Sequence, residues 1–186
     1  IEGRGRPSLG WARCRIAPSF FGRTLMQLGV HFRLDDAEAA RVLEAAGDDE
    51  ALHEVLGALE EDEAVFARAC ETDKAWDPIA CTITPAGEDD VWPARGVIGG
   101  ARDLQVEDES WVTHLSPAET AEVAGFLAGL TDEEFVRRYR EMPEDLRNPE
   151  FGPDEEGYAL GSLAGLREFF AAAATEGRHV VFTVWL

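Results

Sequence analysis

Lysine is almost missing from this chain. Lys74 is the single one among 17 basic residues, and the other 16 are arginine. With abundant alanine and glycine, that bias reads as the codon usage of a GC-rich genome rather than as selection for guanidinium chemistry. Cysteine occurs three times, as Cys14, Cys70 and Cys81. An odd number without paired spacing excludes a disulfide framework and points to reduced thiols in the cytoplasm. The gap between Cys70 and Cys81 fits no common zinc spacing. No apolar run approaches the roughly 18 residues of a membrane-spanning helix. Catalytic motifs are missing too. Gly161-Ser162 lacks the rest of a G-x-S-x-G elbow. Gly99-Gly100 lacks both the P-loop lysine and the G-x-G-x-x-G pattern, and reads as a turn.

What the chain does have is acid. Against 17 bases stand 37 aspartates and glutamates, for a net charge of −20. The charge is unevenly spread. Residues 1–27 hold five arginines (Arg4, Arg6, Arg13, Arg15, Arg23) and one acid, Glu2, so this segment is +4 and the remainder −24. Ile1-Glu2-Gly3-Arg4 matches the cleavage site of a blood-clotting protease used to remove tags. A transit peptide or a functional basic arm would have the same composition. Met26, three residues before the first strand pattern at Gly29, favours upstream or tag-derived sequence. The expectation is therefore a basic leader over 1–27 outside the fold, followed by a single acidic α+β domain over 28–186. At 45% hydrophobic residues the body has enough apolar material to fold despite its charge. Nucleic acid is excluded as a partner, because affinity for phosphates comes from clustered Lys and Arg.

Periodicity sets the elements. Gly29 to Leu34 alternates, with Val30, Phe32 and Leu34 inward and His31 and Arg33 outward, which predicts a half-buried strand. Asp35-Asp36 opens a helix and Gly47 closes it. Leu52, Val55, Leu56 and Leu59 form an i, i+3, i+4, i+7 stripe on a second helix, and Val65, Phe66, Ala69 and Cys70 predict a third. Trp76, Ile79, Ala80 and Ile83 repeat the helical spacing, with Asp77 as cap and Pro78 at the first helical position. Residues 85–113 read as irregular apart from a brief strand at Val97-Ile98. Ser116 and Thr131 each open a capping box. A proline- and acid-rich loop from Pro143 to Gly157 precedes a long helix closed by Gly177. Val180 to Leu186 is apolar on both faces, which predicts a central strand over 179–186. The arrangement is α+β and helix-rich, with a small sheet that includes strands 29–34 and 179–186.

Candidate sites are few. The four histidines, His31, His53, His114 and His179, have no motif partners. Glu60-Glu61-Asp62-Glu63 reads as a solvated face, and neither Glu88-Asp89-Asp90 nor Asp154-Glu155-Glu156 has the spacing of a calcium loop. No metal and no cofactor are expected. Asp73-Lys74-Ala75-Trp76 sets the lone lysine two residues from a tryptophan. It is either a polar feature at a cleft mouth or a helix-start ion pair beside a core indole, and the second is the simpler reading.

Gly29-Val30-His31-Phe32, Asp73-Lys74-Ala75-Trp76, Val97-Ile98-Gly99-Gly100, His114-Leu115-Ser116-Pro117 and the closing helix and strand occur in an order that resembles the YfbM-like family, bacterial proteins catalogued as a domain of unknown function. The resemblance runs from Gly29 to Leu186. It implies a small α+β cytoplasmic bacterial protein and carries over no catalytic residue. Relatives usually lack a proline where Pro78 stands. They tend to have a glycine-containing stretch in place of Ser110-Trp111-Val112-Thr113.

Two functions from different classes fit the sequence. One is a non-catalytic acidic binding protein that docks a basic protein partner, inhibitor- or immunity-like. The alternative is a small enzyme or ligand-binding protein with a cleft near Lys74, Trp76 and the Gly96–His114 loop, where Trp111 and His114 complete the candidate set.

Overall fold

The computed structural model describes residues 28–84, 91–106, 110–147 and 152–185. The proposed leader over 1–27 lies outside the described residues. Five strands form one antiparallel sheet in the order β2-β1-β5-β4-β3: β1 (Gly29–Leu34), β2 (Cys70–Asp73), β3 (Arg102–Asp103), β4 (Ser110–Leu115) and β5 (His179–Trp185). The C-terminal strand is central, as its two apolar faces require, and lies between β1 and β4.

Helices cover both faces of the sheet. On one side lie α1 (Asp36–Glu44), α2 (Asp49–Glu61) and α3 (Glu63–Phe66). Their Val42, Leu52, Leu56, Leu59 and Val65 pack against Val30, Phe32, Val112 and Val181. On the other side lie α4 (Trp76–Ile83), α5 (Gly96–Gly99), α6 (Pro117–Gly129), α7 (Asp132–Glu141) and α8 (Glu155–Thr175). There Ile79, Val97, Val123, Phe135, Leu163 and Phe170 meet Leu115, Val180, Phe182 and Val184. Successive residues of a strand point to opposite faces, so each central strand feeds both cores.

Local chemistry fixes where helices begin. Asp35 accepts from the amides of Ala37 and Glu38, while the Glu38 carboxylate accepts from the Asp35 amide, a complete capping box. Arg68 reinforces it, donating to the Arg33 carbonyl at 2.7 Å and pairing with Glu38, which ties the end of α3 to β1 and α1. Ser116 and Glu119 form a second capping box with Pro117 in the first turn of α6. Thr131 caps α7 through the Glu134 amide, but the Glu134 side chain turns away to Arg137 and Arg138, so no reciprocal box closes.

Several expectations are corrected. His31 is not on a solvated face: it is fully buried, because α8 covers that side of β1 and sets Phe169 and Phe170 beside the imidazole. The third helix stops at Phe66, and Cys70 belongs to edge strand β2, paired to β1. Asp77 is not the cap of α4; that position is Ala75, and Pro78 sits in the first turn, where a missing N–H removes no intrahelical bond. Val97-Ile98 is not a strand but part of the short helix α5. β3 and most of β4 lie inside the stretch read as irregular. Among the described residues, no helix is long and apolar enough to cross a membrane.

Candidate functional site

The sheet separates the four residues singled out in the sequence. Trp76 and Trp111 meet edge to face with centroids 6.0 Å apart, and both rest on Phe182, at 6.2 and 5.7 Å. Trp111 is 7% exposed and its Nε1 donates to Asp103 Oδ1 at 3.0 Å. This is a core wall with one polar handle, not an open aromatic patch. The Lys74 segment is anchored through its backbone: the Lys74 amide donates to the Tyr158 hydroxyl at 3.2 Å, and that hydroxyl donates to Asp73 Oδ2 at 2.8 Å. Asp73 takes a left-handed conformation with φ +47°, which its short polar side chain tolerates better than most.

His114 does not join them. It lies three residues after Trp111 on the same strand, and so on the opposite face. There its Nε2 lies 2.9 Å from Nδ1 of His179, whose Nε2 lies 3.4 Å from Asp36 Oδ1. Burial, with the positive charges of Arg102 and His179 adding to it against Glu119, drives its pKa down to about 4. At neutral pH His114 is an uncharged structural imidazole. The alternative cleft therefore loses one of its four members.

The acids sort by face. Around α7 and α8 most are neutralised: Glu134 by Arg137 and Arg138, Glu141 by Arg137, Glu156 by Arg140 and Asp132 by Arg167. Residues 35–69, the α1–α3 layer, hold 12 acids and only two arginines, Arg41 and Arg68, a net charge of −10. On α2, Glu50, Glu54 and Glu61 follow at i, i+4 and i+11. At 100° per residue they fall within about 40° of one another, opposite Leu52, Leu56 and Leu59. All three are exposed, and none has an ion-pair partner among the described residues. Phe66, at the end of α3 in the same layer, is 40% exposed.

A second constellation gave no signal in the sequence. Tyr139 of α7 donates its hydroxyl to Glu155 Oε2 at 2.6 Å, and Glu155, the first residue of α8, is 1% exposed. Burial and that carboxylate push the tyrosine well above its ordinary pKa. Asp77 of α4 joins from the third side: burial first, then the charge of Glu155, raises its pKa from 3.8 to about 6. The Cys81 thiol, buried with Tyr139, Met142 and Leu146, lies 3.9 Å from Asp77 Oδ1. Tyr139 and Glu155 face a cleft of about 590 Å³. These residues come from three helices far apart in the chain, and no spacing rule joins them. Among the described residues, no group of three His, Cys, Asp or Glu side chains is placed to hold a metal.

Comparison with known proteins gives two findings. A family model described as a domain of unknown function (DUF1877) matches residues 26–183. The chain is also similar to the crystal structure of a protein of unknown function, YfbM, from Escherichia coli. Identity is 18% and the TM-score 0.60, over 84% of this chain and 99% of that one. At such identity the likeness shows a shared fold alone. No curated protein matches.

Proposed function

Taking as premise that this chain belongs to the DUF1877, YfbM-like family, we propose that it is a non-catalytic binding protein whose acidic α1–α3 layer docks a basic protein partner. The observation that carries this reading is the carboxylate stripe of Glu50, Glu54 and Glu61. Around α7, Glu134, Glu141 and Asp132 are paired with arginines, whereas Glu50, Glu54 and Glu61 face solvent with no ion-pair partner among the described residues. A surface of one sign accelerates encounter with a cationic partner and rejects acidic ones, and the effect weakens with ionic strength. The half-exposed Phe66 of the same layer offers an apolar contact of the kind that fixes register once charge has brought two surfaces together.

The test is a charge reversal. Tagged wild type and the triple variant Glu50→Lys, Glu54→Lys, Glu61→Lys are compared as bait in a lysate of the source cell, and captured protein is then purified and titrated. The stripe faces away from the core, so the variant should keep the wild-type circular dichroism spectrum. The reading requires one basic partner that binds wild type at low salt, weakens as salt rises, and fails with the variant. Equal binding by the variant, or a partner that is itself acidic, overturns it.

A further inference from the structure

We propose that His114 and His179 form a hydrogen-bond switch, set by Asp36, that reverses direction when the pair takes up one proton and so loosens the corner where α1 meets β4 and β5. Both histidines lie on the sheet face that α1–α3 cover. His114 is paired across strands with Val181, and His179 stands two residues before Val181 at the start of β5. His114 Nε2 lies 2.9 Å from His179 Nδ1, with the two rings inclined by 32°. His179 Nε2 lies 3.4 Å from Oδ1 of Asp36, the first residue of α1. The three groups run from solvent to core. The Asp36 side chain is 93% exposed and that of His179 17%, while His114 is buried.

Asp36 decides the direction of these bonds. An ionised carboxylate only accepts, so the facing Nε2 of His179 carries a hydrogen. A neutral imidazole has one N–H, which leaves His179 Nδ1 as an acceptor, and His114 donates to it from Nε2. His114 Nδ1 is then a bare nitrogen, buried with no hydrogen-bond partner among the described residues. The opposite direction has two faults. It aims a lone pair of His179 at the carboxylate, and it places on His114 Nδ1 a hydrogen that nothing accepts.

A proton overturns this preference. Charged His179 donates from both ring nitrogens. Its Nδ1 hydrogen then meets the Nε2 hydrogen of His114 across 2.9 Å. Either His179 swings from His114 towards Asp36, or His114 moves its hydrogen to Nδ1 and leaves a buried donor unmet, at the full cost of its desolvation. Both outcomes weaken the joint. The first proton does not settle on His114 instead, because burial and the charge of Arg102, its cross-strand partner on β3, drive its pKa down to about 4. The other charges around the corner are already paired. Glu119 of α6 lies 3.6 Å from Arg102. Arg178, between α8 and β5, lies 3.6 Å from Asp35 and 3.4 Å from Glu176, and Glu176 also meets Arg33 of β1 at 3.3 Å. Glu38 of α1 pairs with Arg68. Leu34, opposite His179 on β1, brings no charge. Asp36 is therefore the group that answers a charge on His179.

The switch rests on these contacts and does not depend on the docking reading. Isotope-labelled imidazole nitrogens of the full chain are followed by NMR from alkaline pH downward until His179 is charged. Hydrogen exchange at the Leu115 and Val180 amides, beside the two histidines, is measured over the same range. At the alkaline end His114 should be protonated at Nε2 and bare at Nδ1, and His179 protonated at Nε2. As His179 takes up its proton, the His114 nitrogens should change in the same step. Exchange at both amides, corrected for its intrinsic pH dependence, should speed up about tenfold, as expected for the loss of one buried hydrogen bond. His179→Asn keeps an acceptor near the place of Nδ1 but cannot be charged, so the step should vanish. Asp36→Lys should move the step to lower pH. That variant lies on the surface and keeps the proposal testable if His179→Asn fails to fold. Four results would each overturn the switch: His114 protonated at Nδ1 at the alkaline end, His114 signals unmoved while His179 titrates, an exchange step that survives in His179→Asn, or a step that stays in place in Asp36→Lys.

Discussion

Asp77→Asn should stabilise this protein at neutral pH. A carboxylate whose folded pKa is about 6 against 3.8 unfolded is protonated in both states below roughly pH 4 and ionised in both above roughly pH 6–7. Between those limits the folded state holds a proton that the unfolded state has released. Asp77 therefore costs nothing in acid and costs most above pH 6, where its charge must sit half-buried beside Glu155. The shift of about two units bounds that cost at roughly 3 kcal/mol. Asparagine keeps the shape and removes the charge. It also gives up the favourable interaction of an acid with the first turn of α4, worth about 0.3–1 kcal/mol. A net gain bounded at about 2–2.7 kcal/mol remains, or roughly 4–10 °C in melting temperature at this chain length. Chemical denaturation of both proteins at pH 7.5, 6, 5 and 4 gives the difference directly. It should be largest at pH 7.5 and shrink towards zero at pH 4. A variant less stable than wild type at pH 7.5, or a difference that does not change with pH, would refute the electrostatic account.

Two further outcomes rest on other parts of the fold. Gly29→Ala should cost about 1–3 kcal/mol in denaturant, because the new methyl would lie 2.7 Å from Trp76 Cδ1, 2.8 Å from Thr72 Oγ1 and 2.9 Å from Phe182 Cε2; a variant as stable as wild type would show that this corner is loosely packed. Acid should act through His31 and His114 with the opposite sign to Asp77. Burial lowers both from 6.5 to about 4, so the unfolded state binds the extra protons, and stability falls as pH drops from 6.5 towards 4, by at most roughly 3 kcal/mol for each. Histidine titration by NMR checks this: imidazoles still neutral at pH 5 are expected, and an apparent pKa near 6.5 for either would contradict it.

The parts of this fold legible in the sequence are those set by local rules. Asp35 and Ser116 announce helix starts because a cap needs only residues three apart, and both capping boxes are present. The Val180–Val184 run reads as a central strand because both its faces are apolar, and β5 is central. Failures occur where a distant element decides. Nothing near His31 says that α8 will close over it and leave Nε2 to donate to the Val97 carbonyl at 2.9 Å. Cys70 fits a helical stripe as well as a strand, and its pairing with His31 makes it β2. Ser110–Leu115 alternates less cleanly than β1 because β4 is buried on both faces. The Tyr139, Glu155 and Asp77 cluster is the extreme case: Glu155 falls in a stretch that reads as an acidic loop, Asp77 reads as a cap, and only the packing of three helices joins them to Tyr139.

The same distinction separates the acids of this chain by role. Asp35, Asp48 and Asp62 are consumed as caps, each accepting from backbone amides in the turn that follows, for about 1 kcal/mol apiece. Glu134, Glu141, Glu156 and Asp132 are consumed by arginines. Exposed pairs of this kind add little stability, but they cancel field. Glu50, Glu54 and Glu61 do neither. They cap nothing and cancel nothing, and their spacing concentrates like charge on one side of one helix, which by itself disfavours the folded state. A composition that was acidic only for solubility would be served equally well by carboxylates scattered over all faces. The stripe on α2 is the place where net charge acquires direction, and that is why the docking proposal rests on three glutamates rather than on −20.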